Sequence, residues 1–126
     1  GVKAYFEWLE GRRYKVQARV QLARLRRYVP CADCDGTRLS EAARAVRIER
    51  RSLADLGRMT LAELLVWVED LERRGVLGEA ARRLLELVGG RLRTIHAVGL
   101  GCVSLDRPVR TLSGGEAQRI GLANSL

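Results

Sequence analysis

Apolar residues recur three or four positions apart along most of this chain, which predicts a series of short amphipathic helices. The first predicted helix covers 2–9 and ends near Gly11, and its apolar stripe consists of Val2, Tyr5, Phe6 and Leu9. A second helix is predicted from Arg13 to Tyr28, because Pro30 stops it. The face predicted for this helix carries Val16, Val20, Ala23 and Arg27, with Leu22 and Leu25 nearby.

Later helices are marked by residues that favour helix ends. Ser52 predicts the start of a short helix over 53–56, which Gly57 ends. Thr60 and Glu63 have the spacing of a capping box, so a helix is predicted to run from there to about residue 74 and to end at Gly75. Its predicted buried stripe consists of Leu61, Leu64, Leu65 and Val68.

A further amphipathic helix is predicted over 79–88, where Gly89-Gly90 either breaks it or is a tolerated weak point. Only Ala45 to Arg51 alternates apolar and polar residues, which predicts a short edge strand. The predicted fold class is therefore mainly α, with at most one small β element. We expect one domain over 1–126, with basic helices in 1–30, a cysteine-containing turn in 31–39, and a final helix that begins within 111–126.

The charge distribution adds a candidate binding surface. The 126 residues carry a net charge of +8, and no Asp or Glu lies between Gly11 and Pro30. Because arginine suits contact with phosphate, this stretch is a candidate DNA-binding surface, although its arginines can also be ordinary solvated residues. The candidate residues are Arg12, Arg13, Lys15, Arg19, Arg24, Arg26 and Arg27.

Cys31 and Cys34 have the Cys-x-x-Cys spacing that lets two thiolates reach one zinc ion. A structural zinc site needs four ligands, and the sequence offers only His96 and Cys102 far downstream as further candidates. The pair is therefore half a metal site, and the alternative is a turn that happens to contain cysteines. We expect His96 to be partly buried and Cys102 to be a small core residue.

The stretch from Thr111 to Ile120 carries the most specific chemistry. Ser113 and Glu116 form another capping box, which predicts the start of a helix. Gly114 and Gly115 have no side chains, so a ligand can approach the backbone of the first helical turn. A helix start also offers unpaired N–H groups and the positive end of the helix dipole, and both suit a phosphate group.

These residues resemble the signature motif of ABC-type ATPases, over Leu112-Ser113-Gly114-Gly115-Glu116 and Gln118. An ABC ATPase also needs a P-loop, G-x-x-x-x-G-K-[ST], and the sequence contains no such run. We therefore expect that the chain alone has no ATPase activity, that it is part of a larger protein, and that the parent protein is an ATPase.

A longer resemblance points to one ABC family. The segment from Tyr28 to Leu39, including Pro30-Cys31 and Gly36-Thr37-Arg38-Leu39, together with Leu105-Asp106-Arg107 before the signature, is similar to the UvrA family. Members of that family are the ATP-dependent damage-recognition subunits of bacterial excinucleases. The resemblance implies a helical ABC signature domain, most similar to that of the first nucleotide-binding half.

The resemblance also implies cofactors, partners and site residues. ATP with Mg²⁺ would be held by the P-loop of an opposing nucleotide-binding domain, zinc would be present in the parent protein, and DNA and the other excinuclease subunits would be partners. The residues that match the family's ATP-contacting signature are Leu112, Ser113, Gly114, Gly115, Glu116 and Gln118. No run of 18 or more apolar residues exists, so we expect no membrane partner. The three cysteines, two of them in Cys-x-x-Cys spacing, suit a reducing environment, so we expect a cytoplasmic protein.

Two alternatives stay open at this point. The chain can be a basic nucleic-acid-binding module with a half zinc site, in which the signature has no ATPase role. It can also be an ABC protein that does not act on DNA, but the Cys-x-x-Cys segment is foreign to transporter ATPases.

Overall fold

The computed structural model describes residues 1–125, and its contacts separate the chain into two compact units. The N-terminal unit is Gly1–Gly36 and the C-terminal unit is Thr37–Leu126. The expectation of one domain over the whole chain stays a prediction, and each unit is described here by itself. A mainly α fold is confirmed, because residues 1–125 form seven α-helices and one pair of two-residue strands.

The N-terminal unit consists of two helices, α1 (Val2–Glu10) and α2 (Val16–Leu25). Its small core contains Leu9 from α1 and Ala18 and Leu22 from α2. Both helices were predicted, but α2 is shorter at each end than the predicted range of 13–28.

The predicted face of α2 is wrong, because Val16 and Val20 are 64% and 44% exposed. Ala18 and Leu22 are four residues apart, so they share one side of the helix, and this side differs from that of Val16 and Val20. When only two helices pack together, each buries only the face that meets the other helix. The small side chain of Ala18 is buried in this contact.

Within the range of 31–39 that was predicted as a turn, the structure has a turn over 32–36, and it ends with two consecutive residues in the left-handed region. Asp35 has φ of 48° and Gly36 has φ of 75°. Arg38, just beyond the turn, also has a positive φ of 61°. Glycine adopts this conformation without steric cost, whereas Asp35 and Arg38 adopt it at some cost.

The C-terminal unit is built around two helices, α5 (Leu61–Arg74) and α6 (Glu79–Ala97), whose contact dominates it. Its other elements lie before and after this pair in the chain. The elements are α3 (Glu41–Ala45), β1 (Arg47–Ile48), β2 (Arg51–Ser52), α4 (Leu53–Arg58), α5 (Leu61–Arg74), α6 (Glu79–Ala97), a 3-10 turn (Val109–Thr111) and α7 (Gly114–Ala123).

Helix α5 matches its prediction closely. It begins after Thr60 and ends at Gly75, which adopts the left-handed C-cap conformation with φ of 61°. The buried stripe contains the predicted Leu61, Leu64 and Val68 together with Leu71, while Leu65 is only partly buried. Trp67 is also partly buried against this core.

Helix α6 continues through Gly89-Gly90, so the glycines are a tolerated point and not a break. Gly89 is buried against α5, and a Cβ atom there would lie 2.9 Å from Glu72 Oε1. The missing side chain therefore permits the close contact between α5 and α6, which compensates the cost of glycine within a helix.

The strand predicted over 45–51 is replaced by an antiparallel pair, in which Arg47 pairs with Ser52 and Ile48 with Arg51. Ala45 lies at the end of α3 instead. Glu49 has φ of 54°, so the chain reverses before it can form a longer strand.

Candidate nucleotide-contacting site

The capping box predicted at the start of α7 is present. The Ser113 backbone N–H donates to Glu116 Oε2 at 2.7 Å, and the Glu116 N–H donates to Ser113 Oγ at 3.3 Å. These two hydrogen bonds close the helix start by the reciprocal arrangement expected from S-x-x-E. The signature segment, defined as Leu112–Gln118, is therefore a capped helix start.

Arg107 also binds the Glu116 carboxylate. Arg107 Nη1 donates to Glu116 Oε1 at 3.1 Å, and Nη2 donates to Glu116 Oε2 at 3.3 Å. Hydrogen bonds from the backbone and side chain of Ser113, and then the nearby charge of Arg107, lower the pKa of Glu116 from its ordinary value of 4.5. Glu116 is thus a carboxylate at neutral pH and accepts from both groups.

A comparison within the C-terminal unit shows how the start of α7 differs from the start of α5. Helix α5 begins with the equivalent capping box, in which the Thr60 N–H donates to Glu63 Oε2 at 2.9 Å. Its first two amides are also paired: the Leu61 N–H donates to the Val103 carbonyl at 2.8 Å and the Ala62 N–H to the Gly101 carbonyl at 3.0 Å.

The two equivalent amides of α7 belong to Gly114 and Gly115. Within the described residues 1–125, neither N–H has a hydrogen-bond partner. Both residues are exposed, and Ser113 and Gln118 beside them are exposed as well. The first turn of α7 therefore presents two unpaired donors to the solvent, at the positive end of the helix dipole.

Neither glycine is needed by the fold of this unit. A Cβ atom on Gly114 would have nothing within 4 Å, and one on Gly115 would meet only Arg119 Nη2 at 3.8 Å. Both residues lie in a right-handed helix, where alanine is more favourable than glycine. Two glycines at this place leave the backbone open to the approach of another group.

Two contacts connect the capped helix start to the rest of the C-terminal unit. Leu112, directly before Ser113, packs partly buried against the core of the C-terminal unit. On the other side, Arg119 Nη1 donates to the Gly99 carbonyl at 3.4 Å. No residue of α7 is itself buried, so these contacts hold the helix start in place.

The cysteines do not form a complete metal site. Cys31 is exposed, Cys34 is partly buried, and Cys31 Sγ lies 4.0 Å from Asp33 Oδ2. Residues 1–125 contain no group of three or more His, Cys, Asp or Glu side chains arranged to hold a metal ion. Two thiols do not fit a structural zinc ion, which takes four ligands, so we derive no role for zinc.

The two remaining candidate ligands are also corrected. Cys102 was expected in the core and His96 was expected to be partly buried, but both are exposed. Each lies near the turn after α6, where the chain leaves the helix and the side chains face solvent. Their apolar sequence neighbours, such as Val103, take the buried positions instead.

The seven basic residues between 12 and 27 are all exposed on the N-terminal unit. Arg26 forms an ion pair with Glu10, and the Arg12 guanidinium carbon lies 4.1 Å from the centre of the Trp8 ring. Arg19 and Arg24 lie on α2, and Arg13 and Lys15 lie just before it. The unit therefore offers a basic exposed surface in which Arg26 is engaged by an acid.

Arg107 was not among the predicted site residues, although Leu105-Asp106-Arg107 supported the family resemblance. Its nine-residue separation from Glu116 follows no helix or strand period, so no local pattern links the two. A second omission is the capping box of Ser52 and Asp55 in α4, which the S-x-x-D spacing would have indicated.

Comparison with known proteins identifies related sequences. The chain is 38% identical over 119 residues to the UvrABC system protein A of Escherichia coli K12, covering 91% of this chain and 13% of that protein. The same protein of Salmonella typhimurium LT2 is also 38% identical over 119 residues, with the same coverage. That of Haemophilus ducreyi is 39% identical over 119 residues, again covering 91% of this chain and 13% of the relative.

No family model matches the chain. Within the described residues, no helix is long and apolar enough to cross a membrane. The chain spans about 13% of the length of the relatives, so it corresponds to one segment of each. The family resemblance found in the signature and in the Cys-x-x-Cys segment is thereby confirmed, and this chain is a relative of one segment of the UvrA proteins.

Proposed function

We propose that this chain is the signature segment of a longer, UvrA-like ATPase that recognises damaged DNA in nucleotide excision repair. In this proposal, a P-loop elsewhere in the same protein or dimer binds ATP with Mg²⁺, and the signature contacts its phosphates from the opposite side. Damaged DNA and the other excinuclease subunits are then the partners of the intact protein, which acts in the cytoplasm. The identity with UvrABC system protein A supports this proposal.

The single observation that carries the proposal is the glycine backbone at positions 114 and 115, which carries no side chains and whose two amides are exposed and unpaired within residues 1–125. Leu61 and Ala62, at the same positions of α5, use their amides within the fold. Two exposed donors at a helix start suit the oxygen atoms of a phosphate, and the absence of side chains allows these oxygens to approach. The exposed Ser113 hydroxyl can act as a third donor if it turns from the Glu116 carboxylate to the phosphate.

The remaining signature residues have different roles in this proposal. Glu116 closes the helix start, because its carboxylate faces Ser113 and Arg107. Leu112 anchors the segment through its partly buried side chain. Gln118 is exposed one turn into α7, where its amide can reach a ligand at the helix start.

The proposal is tested by Gly115→Asp in the full-length protein. A carboxylate at this position would occupy the space of the phosphate and repel its negative charge. Losing one such donor typically slows catalysis about 100- to 1000-fold, and we expect at least this decrease in single-turnover ATP hydrolysis. Binding of ATP to the P-loop, measured by fluorescence titration, should remain.

Gly121→Asp is the matched control, because Gly121 lies in the same helix and a Cβ atom there has nothing within 4 Å, while one on Gly115 meets only the end of the Arg119 side chain. This variant should hydrolyse ATP at nearly the normal rate. Gly115→Ala should melt at or slightly above the normal temperature, since alanine favours a helix. If Gly115→Asp hydrolyses ATP like the unmodified protein, the segment is only a capped helix.

We also propose that the basic surface of the N-terminal unit contacts DNA phosphates. All seven candidate residues are exposed, and Arg19 and Arg24 extend from one short helix. Arg26 is excluded from the test because it pairs with Glu10 and its loss would disturb the unit.

The test measures how DNA affinity depends on salt concentration. Each phosphate contact contributes a slope of about 0.9 to the logarithmic plot of affinity against salt, so Arg19→Ala with Arg24→Ala should reduce the slope by about 1.8. The control is Arg73→Ala with Arg83→Ala, which removes the same charge from exposed positions on α5 and α6. Equal slopes for both double variants would show that α2 does not touch DNA.

A further inference from the structure

The loop that leads into α7 is fixed to the core of the C-terminal unit. Ser104 forms an isolated antiparallel bridge with Thr60, and the Asp106 N–H donates to the Gly57 carbonyl at 3.1 Å. Arg38, which lies 68 residues earlier, donates from Nη2 to the Asp106 carbonyl at 2.7 Å. Asp106, the residue directly before Arg107, is therefore held by groups from two distant parts of the chain, Gly57 and Arg38.

From this fixed position, the Arg107 guanidinium reaches across to the signature segment. Its Nη2 donates to the Thr111 carbonyl at 2.8 Å and its Nε to Thr111 Oγ1 at 3.3 Å. The same guanidinium makes the two hydrogen bonds to the Glu116 carboxylate described above. One side chain thus holds both the residue before Leu112 and the acid that caps Ser113.

These contacts matter because burial does little to orient α7. No residue of α7 is buried, whereas α5 has four buried residues. Only 33% of the Arg107 side chain and 18% of the Glu116 side chain are exposed, so this pair is the more protected part of the site. A bidentate contact between arginine and a carboxylate also fixes geometry as well as charge.

We propose that Arg107 is a positioning residue for the signature. It acts through Glu116 and Thr111, setting the direction in which the Gly114 and Gly115 amides point toward a phosphate. This inference rests on the proposed function, since it assumes that these amides bind ATP phosphates. It adds a residue whose guanidinium binds Thr111 and Glu116 at the helix start and does not itself contact nucleotide.

The first experiment replaces Arg107 in the full-length protein and measures ATP hydrolysis. Arg107→Gln removes the positive charge and the planar guanidinium group. We expect kcat to fall about tenfold, which is the size of effect that follows from losing a hydrogen bond to a charged group. KM for ATP should stay within about twofold, because the P-loop holds the nucleotide in this proposal. The kcat of Arg107→Lys should lie between those of the unmodified protein and Arg107→Gln. Lysine keeps the positive charge, but it has no planar guanidinium group that could bridge Thr111 and Glu116.

Arg83→Gln is the control for loss of an arginine, because Arg83 is exposed on α6 and pairs with Glu79 of its own helix. Its kcat should be unchanged. Thermal melting of all variants separates positioning from folding. A kcat decrease for Arg107→Lys at an unchanged melting temperature supports positioning even if Arg107→Gln folds poorly.

The second experiment is a double-mutant cycle with Glu116→Gln. Glutamine can still cap Ser113, since capping boxes accept Glu or Gln, but it cannot form the charged pair with Arg107. If Arg107 acts through Glu116, the double variant should be about as slow as the slower single variant. Fully additive decreases would overturn the inference.

The two proposals fail in different ways. If Gly115→Asp abolishes hydrolysis while Arg107→Gln keeps a normal kcat, the positioning role is wrong and the signature function stands. If neither variant affects hydrolysis, both proposals are wrong. A rise in KM for Arg107→Gln with an unchanged kcat would also overturn the positioning role, because it would place Arg107 in uniform nucleotide binding.

Discussion

Helices α5 and α7 begin with equivalent capping boxes but differ in the two residues directly after the cap. In α5 these residues are Leu61 and Ala62, and their amides pair with carbonyl groups of 101–103. In α7 they are Gly114 and Gly115, and within residues 1–125 their amides are unpaired. The same local signal therefore starts a helix that is built into the core and a helix that presents its first turn to solvent.

The comparison teaches that a capping box specifies where a helix starts and not what the helix does. The apolar residues beyond the cap decide burial, since Leu61, Leu64, Val68 and Leu71 of α5 are buried and no residue of α7 is. Glycines beyond the cap decide access to the backbone. In the proposed function, the two positions directly after the cap are therefore what distinguishes α7 from α5.

The largest expected effect is on stability: replacing an apolar residue should destabilise the protein much more in α5 than in α7. Leu64 is buried in α5, so Leu64→Ala should destabilise the C-terminal unit by about 2–5 kcal/mol. Leu122 of α7 is 61% exposed, so Leu122→Ala should change the free energy of unfolding by less than about 0.5 kcal/mol. Urea denaturation of the chain measures both. Equal losses would show that α7 is packed as firmly as α5.

A smaller effect should appear when pH is lowered. Hydrogen bonds from the backbone and side chain of Thr60 lower the pKa of Glu63, and those of Ser113 lower the pKa of Glu116. Because both pKa values are lower in the folded state, the stabilisation is fully present above the ordinary value of 4.5. It is lost as pH falls through the folded-state values.

Urea denaturation at pH 7 and at several values below 4.5 checks this expectation. Glu63→Gln should make the unfolding of the C-terminal unit less dependent on acid. Glu116→Gln should do so mainly for α7, because this helix contributes no buried residue. A stability that rises as pH falls through this range would contradict the assigned role of both carboxylates.

Sequence alone was sufficient for features that depend on neighbours in the chain. The capping boxes at Thr60 and Ser113 and the left-handed cap at Gly75 follow from local spacing, and the structure contains all three. The resemblance to UvrA also rested on short contiguous segments, and the identities with its relatives confirm it. The assignment of the signature residues to ATP stays a prediction.

Features that depend on distant partners could not be predicted. The buried face of α2 was misassigned because Val16 and Val20 are as apolar as Leu22, and only the position of α1 selects between them. The need for glycine at position 89 is visible only in the structure, where Glu72 lies against it. The role proposed for Arg107 likewise depends on distant partners, because the loop from Ser104 to Asp106 is held by Thr60, Gly57 and Arg38.

The open space around Gly114 and Gly115 has a consequence for protein engineering. A selection for thermal resistance applied to the isolated chain would favour alanine at both positions, at a gain of up to about 1 kcal/mol each, because nothing in the chain opposes the added methyl groups. In the proposed role, each methyl group would lie where a phosphate oxygen has to come. Directed evolution of the fragment would therefore improve its folding and remove its function, and only a screen on the assembled ATPase would detect the loss.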